Sequence, residues 1–467
     1  MQRTRSVIGG EPSPPINSAE MEPLIGQCSE ELGKFHFDAA REVVDTFRNR
    51  RQPVLVDARD GGWHCLLSAV VQLTQVEKTY FSLAFLLPRA FFRGRERSNY
   101  NQIRTELLHG ADTLKAALAE TSPTSETAHR TDSLAEHLLR QFHGYVCARI
   151  DMMNFYERLA TIGTVKGMSS EQAFMALMDI QQKNTGTFHH PQLSPLDTSF
   201  TYEIEVLSHL LQCQSDLVKL RFMPSLLHLK EAKERLKLWL KGTNLESSQL
   251  LTTGWLGLGS AKKLHSHLAL CVWMQNFYDL LMAKFSLYFY DALVRQTNAA
   301  EMKLNVASVP LPNFLTKFAN FQRRHDALTV CLILNRDEEP LGFAGVGYHH
   351  PEKYVTEGSK GLADTYPIIF NQPPEKPPER LHPSLARFIE EARDAVIGAP
   401  DRVKHLYDHI KDQTFYAAHI EGQLYLAVVF LGRRQERDSA VISFFAETLG
   451  DLRVSRIFNS LKTAAKS

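Results

Sequence analysis

LALCVWMQNFYDLLMAKFSLYFYDALV occupies residues 268–294. So apolar a run is either a membrane span or a buried helix. A span needs about 20 predominantly apolar residues in succession, and Gln275, Asn276, Asp279 and Lys284 interrupt this one. Within it Phe277, Leu281, Phe285, Tyr288 and Ala292 step by four, four, three and four. That spacing is one stripe of an α-helix, and such stripes bury against other helices. The stretch therefore predicts a helix over residues 262–303 inside a helical bundle.

Working towards the N-terminus, the same period recurs. FDAAREVVDTFRNRR (37–51), CLLSAVVQLTQVEKTYFSLAFLL (65–87) and NQIRTELLHGADTLKAALAE (101–120) are predicted helices, with Gly110 a weak point in the third. Ser133 and Glu136 make a capping-box pattern before a long helix, and Ser169 and Gln172 repeat it. Ser194 as N-cap and Pro195 as first helical residue open a helix predicted to run to about residue 241, kinked or broken at Pro224. Towards the C-terminus the texture changes after Val309. LTKFANFQRRHDA is helical, LTVCLILN (328–335) and TYPIIFN (365–371) are strands, and TFYAAHIEGQLYLAVVFLG (414–432) is a hairpin turning near Glu421-Gly422. A last helix spans residues 439–461.

The expected fold class is α+β. Residues 1–20 are expected to be a flexible tail, 21–308 a helical bundle domain, and 309–467 a smaller α+β domain. That second domain would carry a mostly antiparallel sheet with helices on one face, and a proline-rich excursion at 371–383. A chain of 467 residues fits that two-domain division. With 53 Lys and Arg against 52 Asp and Glu, it carries no overall field for nucleic acid. The six cysteines are dispersed and form no CxxC, so neither a disulfide framework nor a zinc ribbon is expected. The N-terminus lacks the apolar run of a signal peptide.

Catalytic motifs fail on inspection. GWLGLGSAKK (254–263) spaces Gly254 and Gly259 like a phosphate loop, but Ser260 stands where the lysine belongs. Lys262 stands where a dinucleotide fingerprint needs its third glycine. Neither GxSxG nor HExxH occurs.

Two repeated strings, TFHHPQLSP (187–195) and GYHHPEKY (347–354), raise a metal site. His189, His190, His349 and His350, with Asp197 and Glu352 near in sequence, would serve a metal-dependent hydrolase. However, a residue before proline is extended, and adjacent extended side chains point to opposite sides. Neighbouring histidines then chelate one ion poorly. The plainer expectation is a pair of chain corners, Phe188-His189-His190-Pro191 and Tyr348-His349-His350-Pro351, with the aromatics anchored and the prolines turning the chain. No metal and no cofactor is expected.

Two basic stretches are interaction candidates. PRAFFRGRER (88–97) offers Arg89, Phe91, Phe92, Arg93 and Arg95 as a partner-binding patch. KEAKERLKLWLK (230–241) suits an acidic partner or a headgroup layer, or simply complements a helix C-terminus.

FHHPQLSPLDTSF (188–200), LLMAKFSLYFYDALVRQTNAAEMK (280–303), GYHHPEKY (347–354) and ERDSAVISF (436–444) stand in an order and spacing that closely resemble the smaller helical subunit family of the KICSTOR complex. The resemblance runs from about residue 24 to the end, leaving out the N-terminal tail and the proline-rich stretch. It implies a helical domain followed by an α+β domain, and no enzyme. The implied role is a scaffold that recruits the GATOR complex to the lysosomal surface and restrains TOR kinase signalling when nutrients are scarce. The implied partners are kaptin, an integrin-FG-GAP-like propeller protein, a very large linking subunit, and GATOR through that subunit. Membrane association would be indirect. A small-GTPase-binding module is the alternative suggested by the α+β half.

Overall fold

Helices α1 (Ser18–Gly33), α2 (Phe37–Arg50), α3 (Gly61–Phe81), α4 (Arg95–Glu120), α5 (Glu126–Leu159) and α6 (Ser170–Asn184) open the chain. The structure, a computed structural model, describes residues 18–50, 61–87, 95–120, 126–162, 167–241, 268–296, 313–336, 361–374, 380–397 and 402–464. The Ser169 capping box is formed: the Gln172 amide donates to Ser169 Oγ (3.1 Å) and the Ser169 amide to Gln172 Oε1 (2.9 Å). The one expected at Ser133 is not, because α5 begins at Glu126 and carries Ser133 inside it. Glu136 instead pairs with Arg140 (2.5 Å), which reaches Asp112 of α4 (3.0 Å). Gly110 does not weaken α4. A Cβ there would stand 2.7 Å from Cys65 Sγ, so the glycine lets α3 and α4 approach.

The helix expected over 194–241 is two, α7 (Ser194–Val218) and α8 (Phe222–Trp239). The break falls at Leu220, which takes φ 52, and the Arg221 amide returns to the Asp216 carbonyl (2.9 Å). Pro224 lies in the first turn of α8, where its missing N–H removes no intrahelical bond. The start of α7 also shifts by one. Pro191–Leu193 form a 3-10 turn, Leu193 flanks the helix, and Ser194 is already helical.

Two helices, α9 (Ala269–Tyr288) and α10 (Tyr290–Gln296), follow, the rest of the expected 262–303 span lying outside the described residues. Phe277, Leu281, Phe285, Tyr288 and Ala292 are all buried.

Then come α11 (Phe314–His325), β1 (Ala327–Leu334), a single turn α12 (Leu362–Thr365), β2 (Ile368–Gln372), α13 (His382–Ile397), β3 (Lys404–Asp408), β4 (Gln413–Glu421) and β5 (Leu424–Leu431). Two helices, α14 (Ser439–Leu452) and α15 (Ser455–Ala464), finish the chain, separated at Val454 (φ 54) where one helix was expected. The five described strands run β2-β1-β5-β4-β3, every described pairing antiparallel. Of the expected 371–383 excursion, Asn371 and Gln372 belong to β2 and His382 opens α13; 375–379 lie outside the described residues.

Helices cover both faces of the sheet, not one. On the first, Cys331, Ile333, Phe415, Tyr425 and Val429 pack beneath Leu385, Phe388 and Ile389 of α13. On the second, Val330, Leu332, Leu426, Val428 and Phe430 join the core of the helical region. Strands covered on both sides read as unbroken apolar runs, as LYLAVVFL of β5 does. The shared core is fastened aromatically: Phe277 meets Phe458 (5.1 Å), Phe321 stacks on Phe444 (3.9 Å), and Trp273 Nε1 donates to the Ile457 carbonyl (2.8 Å).

Candidate functional site

Arg149 of α5 lies 1% exposed between Glu77 of α3 (2%) and Glu203 of α7 (0%). Its Nε donates to both Glu77 oxygens (3.2 Å each) and to Tyr145 Oη (2.9 Å), and its Nη1 pairs with Glu203. Tyr100 of α4 and Tyr145 donate to Glu77 (2.9 and 2.8 Å). Tyr80 and Tyr156 donate to Glu203 (2.5 and 3.0 Å). The guanidinium also faces the Tyr80 ring, 4.5 Å from its centroid. One cation against two carboxylates leaves a net −1, spread over four phenol donors.

Burial, then the neighbouring carboxylates, push all four phenols well above the ordinary tyrosine range. Burial opposes the charge on Arg149, but Glu77, Tyr145 and Glu203 together raise its pKa well above normal. The groups serve one another and are sealed from water. Chemically the arrangement can fix the rotation of α3, α5 and α7 against one another, since a turn of any of them leaves a buried charge unpaired, while a turn of α4 strips Glu77 of a phenol donor.

A second polar knot joins α7, α9 and the sheet. Lys284 is fully buried, pairs with Glu421 and donates to Gln214 Oε1 (2.7 Å). Gln214 Nε2 and Tyr288 Oη both donate to Glu421 (3.0 and 2.9 Å). Burial lowers the Lys284 pKa even against the pull of Glu421. Next to Glu421 the hairpin turns at Gly422, φ 50, and a Cβ there would lie 2.7 Å from the Val218 carbonyl at the end of α7. Glycine is what lets the tip of the β4–β5 hairpin seat there.

The described HHP string is the corner before α7. Phe188 is buried, edge-on to Tyr145 and Phe200 (5.4 Å each). His189 Nδ1 lies 2.7 Å from the Gly186 carbonyl, whereas His190 accepts the Gln192 amide (3.2 Å) and faces His137 (5.5 Å). The two rings thus engage different neighbours. Pro191 starts the 3-10 turn. The second string, with Tyr348, His349, His350 and Pro351, lies outside the described residues, as does Glu352. Among the described residues, no three of His, Cys, Asp and Glu are grouped to hold a metal ion.

Of the first basic stretch, Arg89, Phe91, Phe92 and Arg93 lie outside the described residues, and Arg95 begins α4 with its side chain not described. Arg97 contacts Glu157 of α5 (3.4 Å). In the second stretch Trp239 turns inward and donates to Ser199 Oγ (2.9 Å). The Arg149 cluster was not anticipated from the sequence. A signal existed: Glu203 sits between Phe200 and Leu207 on the buried stripe of α7, where a carboxylate needs a partner.

The fold and its two knots define an α+β protein built on a helical bundle, with its buried charges engaged in architecture. The chain belongs to the KICSTOR C12orf66-like family: the family model described as "KICSTOR complex C12orf66 like" matches residues 15–466. It is 34% identical over 443 residues to "KICSTOR subunit 2" of Danio rerio, covering 93% of this chain and 94% of that one. It is 32% identical over 442 residues to "KICSTOR subunit 2" of Xenopus laevis, covering 93% and 95%.

Proposed function

We propose that this chain is a non-enzymatic scaffold subunit of a KICSTOR-like complex. In that role it recruits the GATOR complex to the lysosomal surface and negatively regulates TOR kinase signalling on amino-acid or glucose deprivation. The observation that carries this is the extent of the family match, which takes in bundle, sheet and C-terminal helices alike. The two internal polar knots support it, since they give a rigid body on which partners can dock. Its partners are kaptin, the integrin-FG-GAP-like propeller protein and the very large linking subunit, with GATOR reached through the last. It works in the cytosol and at the cytoplasmic face of the lysosome, held there by those partners. The aromatic and arginine-rich segment Arg89–Arg95 is the docking candidate on the helical part, residues 21–308.

Affinity purification of the full chain from cells, read by mass spectrometry, tests this. Recovery of the KICSTOR and GATOR subunits is expected, and their consistent loss from a preparation that is folded overturns it. Substituting Phe91, Phe92, Arg93 and Arg95 together should reduce recovery of the partner subunits; unchanged recovery removes the segment from the interface.

A further inference from the structure

The basic stretch at 230–241 divides into two faces. Towards the bundle, α8 buries Phe222, Ser225, Leu229, Ala232, Leu236 and Trp239. On the opposite side Met223, Leu226, Leu227 and Leu238 are 44, 37, 54 and 42% exposed. Lys230, Lys233, Lys237 and Lys241 are exposed with them. At 3.6 residues per turn those on α8 share an arc of about 140°, so apolar and basic groups interleave on one face, with Lys241 just past the helix end. Glu234 is the carboxylate on that arc, since Glu231 pairs with Arg235. The ion pairs along the α7–α8 hairpin include those of Lys219, Arg221 and Arg235. Lys233 faces the Asp279 carboxylate of α9, and among the described residues Lys230, Lys237 and Lys241 form no ion pair.

We propose that this face of α8 lies directly on an anionic phospholipid surface. The lysines sit at the phosphate layer, and Met223, Leu226, Leu227 and Leu238 reach the acyl boundary. This goes beyond the scaffold role, in which partners supply the membrane. The side-chain chemistry separates a lipid surface from an acidic protein. Protein interfaces concentrate aromatic and arginine anchors and deplete lysine at their centres. Here the one tryptophan of α8 is buried, and Arg235 is occupied by Glu205 (3.0 Å). Lysine, a hydrated point charge on a flexible stem, suits a diffuse field of phosphates. The face is also a convex helix side, which a planar bilayer meets without needing a groove.

The test is co-sedimentation of the purified full chain with vesicles of phosphatidylcholine alone, and of phosphatidylcholine and phosphatidylserine in equal parts. Binding is expected only with phosphatidylserine, and high salt should release it. Lys230→Glu with Lys237→Glu should lower binding at least ~10-fold, each cation near an anionic leaflet contributing about 5-fold. Met223→Gln with Leu227→Gln should lower it several-fold while leaving the salt dependence in place. All four positions are exposed, so unchanged melting verifies that the variants fold. Equal binding to both vesicles overturns the proposal, as does binding that neither variant alters. Failure to bind phosphatidylserine while the lysine variant loses a partner protein in cells also overturns it, assigning the face to an acidic protein.

Discussion

Arg149→Met removes the guanidinium from between Glu77 and Glu203 while keeping most of the side-chain stem. Both carboxylates are at most 2% exposed, so neither regains water. Removing one partner of a buried ion pair costs ~3–5 kcal/mol. Each carboxylate retains two phenol donors, which holds the loss to about 4 kcal/mol instead of a sum over both pairs. Glu203→Gln should be milder, about 2 kcal/mol, because it leaves a neutral Arg149–Glu77 pair. The triple variant Arg149→Met, Glu77→Gln, Glu203→Gln removes every formal charge and should recover at least half of the Arg149→Met loss. Urea unfolding followed by far-ultraviolet circular dichroism measures all three. A loss below about 1 kcal/mol for Arg149→Met would show that the cluster is open to water. A triple variant less stable than Arg149→Met would refute charge burial as the cause.

Three further outcomes are expected. Burial lifts the Asp279 carboxyl from 3.8 to about 6, against the Gln275 hydrogen bond and the Lys233 charge. A raised folded pKa means that its stabilising contribution is full below 3.8 and is lost as pH rises through about 6. Asp279→Asn should therefore stabilise the protein by about 2 kcal/mol near pH ~7.5 and by nothing near pH ~4; equal effects at both would show that the side chain is hydrated. Phe188→Ala should cost ~3–5 kcal/mol, and His189→Ala under ~0.5 kcal/mol, in the same urea assay; comparable losses would mean that the corner is held by its histidine. Gly422→Ala combines a left-handed φ with a Cβ against the Val218 carbonyl, and should cost about 2 kcal/mol. If its unfolding curve matches the parent's, the hairpin tip does not press on α7.

The helices were legible because their buried faces repeat at three and four residues, and Ser169 marked its helix by cap chemistry alone. Their breaks were less so. Leu220 and Val454 adopt left-handed φ without being glycine, and packing imposes that conformation where local propensity would not. Pro224 does accompany a break, standing in the first turn of α8 four residues after Leu220, whose carbonyl its ring would meet in a continuous helix. β3, KHLYD, has only half-buried or exposed positions at the sheet edge, too little apolar pattern to announce a strand. α13 was hidden behind prolines, which is why the second covering of the sheet was missed. Glu77, Arg149 and Glu203 are far apart in sequence and become a unit only when α3, α5 and α7 meet. Lys284 argued against a membrane span, yet its partner, Glu421, lies far along the chain on β4.

The seating of the hairpin tip on α7 bears on how partners can be mapped. One sheet face completes the interior of the helices, so a deletion series cut between Gln296 and Phe314 would yield fragments with Leu426, Val428 and Phe430 laid bare on one piece and Phe277 and Trp273 on the other. Such pieces would adhere to chaperones and to each other, and their captures would report stickiness in place of recognition. Contacts of this protein are better mapped on the intact chain by surface substitution.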